Sequence, residues 1–144
     1  MTSVSAVSPR LIRIAAALLL NPNGQTLLVR KRDTMAFMQP GGKIEAHELP
    51  VDALARELEE ELGLVIDPTQ ASFLGQFSAP AANEPGFVVQ AEIFQLTIDT
   101  EVSPAAEIEE VIWIDPATDG DVVLAPLTRD LILPFYRASL TAIA

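Results

Sequence analysis

The chain has no cysteine in its 144 residues, so it can form neither disulfides nor thiolate metal sites. It has a single histidine, His47. Basic residues are scarce as well: nine Lys and Arg stand against twenty Asp and Glu, a net charge of −11. That balance excludes the basic stripe with which proteins grip nucleic-acid polymers, and no such partner is expected. Long hydrophobic runs are also missing. The stretch Ile14 to Leu20 is seven residues, far short of the ~18 that a membrane span requires. Arg10 and Arg13 precede it in the manner of a signal peptide. No small-x-small cleavage site follows, however, and Asn21-Pro22-Asn23-Gly24 reads as a turn. A cytoplasmic protein without a membrane partner is therefore expected.

These absences leave carboxylates, one imidazole, hydroxyls and backbone groups from which to build a chemical site. Such donors favour a hard, oxygen-liking cation, Mg²⁺ or Mn²⁺, over zinc. Hydrophobic residues make up 49% of the chain, enough for one real core in one domain. The expected division is a loose tail over residues 1–9 and a single domain over 10–144; a homodimer is left open. Seven of the nine basic residues (Arg10, Arg13, Arg30, Lys31, Arg32, Lys43 and Arg56) precede residue 57, so a small anionic substrate can find cations there.

Two apolar runs, Leu11 to Leu20 and Gln25 to Arg32, flank the Asn-Pro-Asn-Gly turn and predict a hairpin. Further strands are expected at Ala71–Ser78, Phe87–Ile98 and Glu110–Ile114. A terminal helix is expected to start near Thr128, which can cap it, with Pro134 bending or restarting it. Between them lies a helical period: Val51, Leu54, Ala55, Leu58 and Leu62 share one face from Pro50 onward, and Gly63 follows the last turn. The pattern is α+β: a mixed sheet with one early and one terminal helix.

The early helix carries Glu57, Glu59, Glu60 and Glu61 in its last turns. Carboxylates there face the negative end of the helix dipole, and Glu57 with Glu61 is a like-charge i, i+4 pair; each effect costs a few tenths of a kcal/mol. A helix chosen for stability alone would place lysines there. Glu57, Glu60 and Glu61 stand at i, i+3 and i+4, so their carboxylates are expected on one side, away from Leu58, as a site for divalent cations. A Glu-rich helix by itself is more often a solvated acidic face.

The surroundings change that balance. Gly42, Glu48, Arg56, Glu57, Leu58, Glu60, Glu61, Gly63 and Leu64 stand in the order G-x5-E-x7-R-E-U-x-E-E-x-G-U, where U is aliphatic. At every specified position this resembles the Nudix box, and average residue frequencies put a chance match below roughly one in a million. Pro40-Gly41-Gly42-Lys43 and Glu107-Ile-Glu-Glu-Val-Ile-Trp113 resemble the MutT-like branch of that family. The resemblance implies an α/β/α sandwich with a mixed sheet flanked by helices. It implies hydrolysis of a nucleoside diphosphate linked to another moiety, with a small nucleotide as the partner. Glu57, Glu60, Glu61 and the Gly41 carbonyl would hold Mg²⁺ (or Mn²⁺), and Glu48 would support them. Arg56 would orient the carboxylates, and Glu57 or Glu107 would take the proton from water, with Glu110 the rival of Glu107. For substrate contacts the candidates are Arg32 (or Arg30) and Lys43 on phosphate and Phe37 (or Phe87) on a base. Thr128, after Pro126, stands where MutT-type enzymes read the base with asparagine. Pro80 matches a proline common in ADP-ribose hydrolases. A nucleotide sensor on the same fold is the alternative, although such modules usually lose box carboxylates and none is missing here. A diphosphate isomerase on this fold would call for the cysteine that the chain lacks.

Overall fold

The computed structural model describes residues 10–143. The tail expected over residues 1–9 lies outside them. Seven strands form one mixed sheet: β1 (Arg10–Leu20), β2 (Thr26–Lys31), β3 (Phe37–Met38), β4 (Gly41–Lys43), β5 (Ser72–Pro80), β6 (Phe87–Thr97) and β7 (Ile108–Ile114). Two helices, α1 (Pro50–Leu62) and α2 (Leu133–Ile143), complete the fold.

The predicted hairpin forms, and the Asn21 side chain accepts from the backbone N–H groups of Asn23 and Gln25 across its turn. Yet β1 and β2 pair only at Leu20 and Thr26, beside that turn. Along the same edge β1 then takes β4 as antiparallel partner at Ile14 to Ala16, while its other edge runs parallel to β6 along its whole length. Strand β2 turns instead to β3 and β7. The sheet therefore divides beyond the hairpin, and β4 is the strand that lies against β1 at the split.

Side-chain alternation along β1 explains the two layers around it. Ala15, Ala17 and Leu19 pack with Leu54, Leu58 and Leu62 of α1, whereas Ala16, Leu18 and Leu20 pack with Leu127, Ile132 and Tyr136. A strand covered on both faces reads as a continuous apolar run, which is what residues 14–20 are. The result is the expected mixed sheet between helices. Helix α1 has no side-chain N-cap; Pro50 opens it, and Gly63 closes it in the left-handed conformation. The Gly63 N–H donates to the Glu59 carbonyl and the Leu64 N–H to the Leu58 carbonyl, which satisfies the final turn.

The terminal helix departs from expectation. Helical structure begins at Pro126, so Thr128 lies inside it and does not cap it. Residues Thr128–Ile132 form a π-turn that leads directly into α2. Pro134 has no N–H to donate to the preceding turn, and a widened turn at that point absorbs the missing bond without ending the helix. Sequence reading also passed over the short strands β3 and β4, which are held by pairing with distant strands.

Candidate active site

The site forms where β4 meets α1. Gly41 pairs with Ala16 of β1 at φ 152°, and a Cβ on it would overlap the Ala15 carbonyl and the Ala16 backbone. A Cβ on Gly42 would overlap the Glu57 carboxylate. Two adjacent residues without side chains thus let the strand lie against β1 and leave room for a carboxylate of the helix behind it.

Arg56 organises the acidic groups. Its Nε donates to Glu48 Oε2 at 2.8 Å and its Nη2 to Glu48 Oε1 at 2.9 Å, a bidentate pair. Its Nη1 reaches Glu57 Oε2 at 2.8 Å, and Nη2 also donates to the Lys43 carbonyl at 3.0 Å. The Arg56 hydrogen bonds, aided by the Glu45 N–H, hold the Glu48 carboxyl down at about 2. The same contacts with Glu48 and Glu57 raise Arg56, whose charge is permanent.

Glu61 is the opposite case. It is 3% exposed, on the buried side of α1 at the floor of a cleft, where the Gly41 N–H donates to its Oε1 at 3.2 Å. Burial pushes its carboxyl up to about 7. The Gly41 N–H opposes the rise, as does Lys31; the negative charges of Glu57 and Glu107 add to it.

Glu57 and Glu61 both face β4, against Gly42 and Gly41, while Glu60, expected on the same side, is exposed. Glu61 lies among the buried residues of α1, Glu57 is turned to Arg56, and Glu60 and Glu59 are exposed. Glu57 and Glu61, one helical turn apart, stand at the edge of the core that Leu58 and Leu62 mark, and Glu60 lies beyond it. Among the described residues, no three Asp, Glu or His side chains stand grouped for metal ligation in this arrangement.

The loop after β6 docks on the end of α1. The Ala105 N–H donates to the Glu61 carbonyl and the Ser103 N–H to the Leu62 carbonyl, each at 2.9 Å. That contact brings Glu107 to the site, where it pairs with Lys31 Nζ at 3.3 Å. Glu110, its rival, is held by Arg30 at 3.2 Å, and the Arg30 guanidinium lies over Phe37.

Alternation along β2 sorts the cations. Val29 and Lys31 line the cleft with Glu61 and Lys43, while Leu28 packs on the far side with Phe37. Arg32 turns outward, to the Ala106 carbonyl at 3.1 Å and Glu109 at 3.8 Å, and does not line the cleft. Phe37 is 5% exposed and packs with Leu28, Ile114, Leu124 and Leu133, so its ring is core and offers no stacking face. Phe87 lies outside the cleft lining, with Arg10 over its ring. His47 is exposed. Thr128 is fully buried beside an apolar slot that continues the cleft through Ile14, Met38, Gln39, Ala82 and Val89. Pro80 lines the same slot, and Asn83 and Glu84 of the β5–β6 loop rim the cleft.

Two residues of the site went unselected by sequence reasoning. Lys31 could have been found from its place two residues after Val29 in an alternating strand. Gln39 carries a weaker signal, a polar residue between Met38 and Pro40. Its Oε1 accepts from the Thr128 hydroxyl at 2.8 Å, and its buried Nε2 has no partner.

The NUDIX domain family model matches residues 10–127. The 8-oxo-dGTP diphosphatase of Haemophilus influenzae is 43% identical over 60 residues, 39% of this chain and 44% of that protein. The octanoyltransferase of Myxococcus xanthus is 36% identical over 117 residues, 76% of this chain but 31% of that protein. The chain thus spans less than half the length of either relative. The MutT protein of Methanosarcina mazei superposes with a TM-score of 0.78 at 22% identity, covering 94% of this chain and 99% of that one. That likeness is one of fold.

Proposed function

The chain belongs to the Nudix domain family, and on that premise we propose that it is a metal-dependent pyrophosphohydrolase acting on a small nucleotide. The substrate is a nucleoside diphosphate linked to another group: a further phosphate, as in a nucleoside triphosphate, or a sugar, as in ADP-ribose. The observation that carries this reading is Glu61, a buried carboxylate at the floor of a cleft, beside Arg56-held Glu57 and the Gly41-Gly42 backbone.

The donor set fits Mg²⁺ or Mn²⁺. Glu57, Glu60, Glu61 and the Gly41 carbonyl offer only oxygen, the Gly42 gap accommodates the Glu57 carboxylate, and buried Glu61 is short of positive charge. These are the residues that would hold the ion. When bound, it neutralises phosphate charge and acidifies a water. Lys31 and Lys43 line the cleft and suit the phosphate oxygens, and the apolar slot suits the nucleoside end. In the reaction a water oxygen attacks one phosphorus as the bridging P–O bond breaks. The leaving phosphate departs with the bridging oxygen, and the water proton passes to a carboxylate. Glu57 is assigned that role, because Arg56 fixes its direction while it faces Gly42. Glu107 assists from beside Lys31.

The test is release of phosphate or nucleoside monophosphate from a panel with Mg²⁺ or Mn²⁺. It should include canonical and oxidised nucleoside triphosphates, ADP-ribose, dinucleoside polyphosphates and nucleotide sugars. Turnover is expected for at least one class, and EDTA, Glu57→Gln and Glu61→Gln should each abolish it. Nucleotide binding without turnover across the panel would refute hydrolysis in favour of a sensor.

A further inference from the structure

The inner end of the cleft is apolar, formed by Ile14, Ala16, Met38, Val89 and Leu127, and one amide is buried within it. Gln39 is 5% exposed, and its Nε2 has no hydrogen-bond partner. Native folds keep few buried donors unpaired, and each one calls for an explanation. Here the other end of the same amide is occupied: Gln39 Oε1 accepts from the Thr128 hydroxyl at 2.8 Å, and Thr128 is fully buried. That bond sets the amide so that its NH₂ is the free end at the slot. Thr128 also opens the π-turn Thr128–Ile132, and such turns concentrate at functional sites. The slot therefore combines apolar walls, suited to a flat ring, with a buried donor that no protein group satisfies.

We propose that Gln39, positioned by Thr128, is the specificity-determining residue of the cleft: its amide donates to an exocyclic keto oxygen and so selects a nucleobase that carries one over a base with an exocyclic amine at that place. An amine at that place sets donor against donor and leaves both unpaired. The inference rests on the nucleotide reading proposed above and adds the class of base. A site built around one hydrogen bond discriminates against a ligand that cannot make it by about 10- to 100-fold.

Inosine and adenosine triphosphates form the decisive pair, since one has a keto oxygen at C6 and the other an amine. The measurements are kcat/KM for both with Mg²⁺, and calorimetric binding of the two monophosphates to the metal-free protein. Wild type should favour the inosine compound about 10- to 100-fold in both assays. Gln39→Leu should bring the ratio within about threefold by weakening the inosine compound. Thr128→Val frees the amide to rotate and should narrow the ratio through KM, with kcat little changed. Thermal melting is followed alongside, and Gln39→Met replaces the leucine variant if that one fails to fold. Equal or adenosine-favouring binding by wild type overturns the proposal, as does a ratio that survives loss of the amide. If neither triphosphate is turned over, the wider panel above decides the hydrolase reading, while the monophosphate binding ratio still decides the role of Gln39.

Discussion

In metal-free protein Glu61 destabilises the fold at neutral and alkaline pH, and neutralising it should make the protein more stable. Burial holds this carboxyl at about 7, against the 4.5 that it recovers on unfolding. A carboxyl with a raised folded-state value favours the folded state only while protonated. Stability is therefore lost as pH rises from about 4.5 to 7 and stays reduced above that. At about 1.4 kcal/mol per unit the full penalty is about 3 kcal/mol. Glu61→Gln removes the charge and retains an oxygen to accept from the Gly41 N–H. Melting in EDTA at pH 8 should rise by about 6 to 12 °C for a domain of this size. At pH 5 folded wild type is itself protonated, and the gap should fall below about 1 kcal/mol. Saturating Mg²⁺ should raise the melting point of wild type and leave the variant unmoved, which narrows or inverts the order at pH 8. A variant no more stable than wild type at pH 8 in EDTA, or one whose advantage persists at pH 5, would refute the reasoning.

Four other substitutions probe the same cluster. Arg56→Lys keeps the charge but cannot make the fork to Glu48 while also reaching Glu57, and activity should fall about 10- to 100-fold with little change in melting point. Glu107→Gln should cost less than about tenfold in kcat, whereas Glu57→Gln should cost about 10²- to 10⁴-fold; comparable losses would transfer the base role to the loop. Gly42→Ala drives a methyl into the Glu57 carboxylate and should abolish turnover while the protein still folds, as checked by circular dichroism.

Much of the fold was legible because it is written locally. The β1–β2 turn, the helical period from Pro50 and the stop at Gly63 each depend on residues within a few positions of one another, and all three appear in the structure. The grouping of the candidate site was legible for a similar reason: Gly42, Glu48, Arg56, Glu57 and Glu61 come together through one short strand and the helix after it. What stayed hidden depends on distant pairing. The strands β3 and β4 hold together through β2 and β1, and neither two residues nor three suffice to show a period. Glu107 could not be separated from Glu110 by sequence, since both precede Trp113. A loop that bonds to the end of α1 places Glu107 beside Lys31, while Arg30 on the other side of β2 holds Glu110.

The substrate candidates show most plainly what local reading misses. Arg30, Lys31 and Arg32 are chemically near-equivalent cations in a row, and preferring an arginine for phosphate follows from side-chain chemistry alone. The strand overrides that preference: only the position in register with Val29 faces the cleft. Phe37 and Gln39 repeat the contrast. Aromatic character nominated Phe37, yet its side chain fills the core beneath α2, while Gln39 two residues on has left the strand and turned its amide into the slot. Residue type decides what a side chain can do, and the strand decides whether the substrate meets it. Buried polar groups such as the Gln39 amide and the Glu61 carboxylate are where the two disagree, since each sits in a place that stability alone would give to an apolar residue. Substrate recognition is accordingly to be sought first at those two positions.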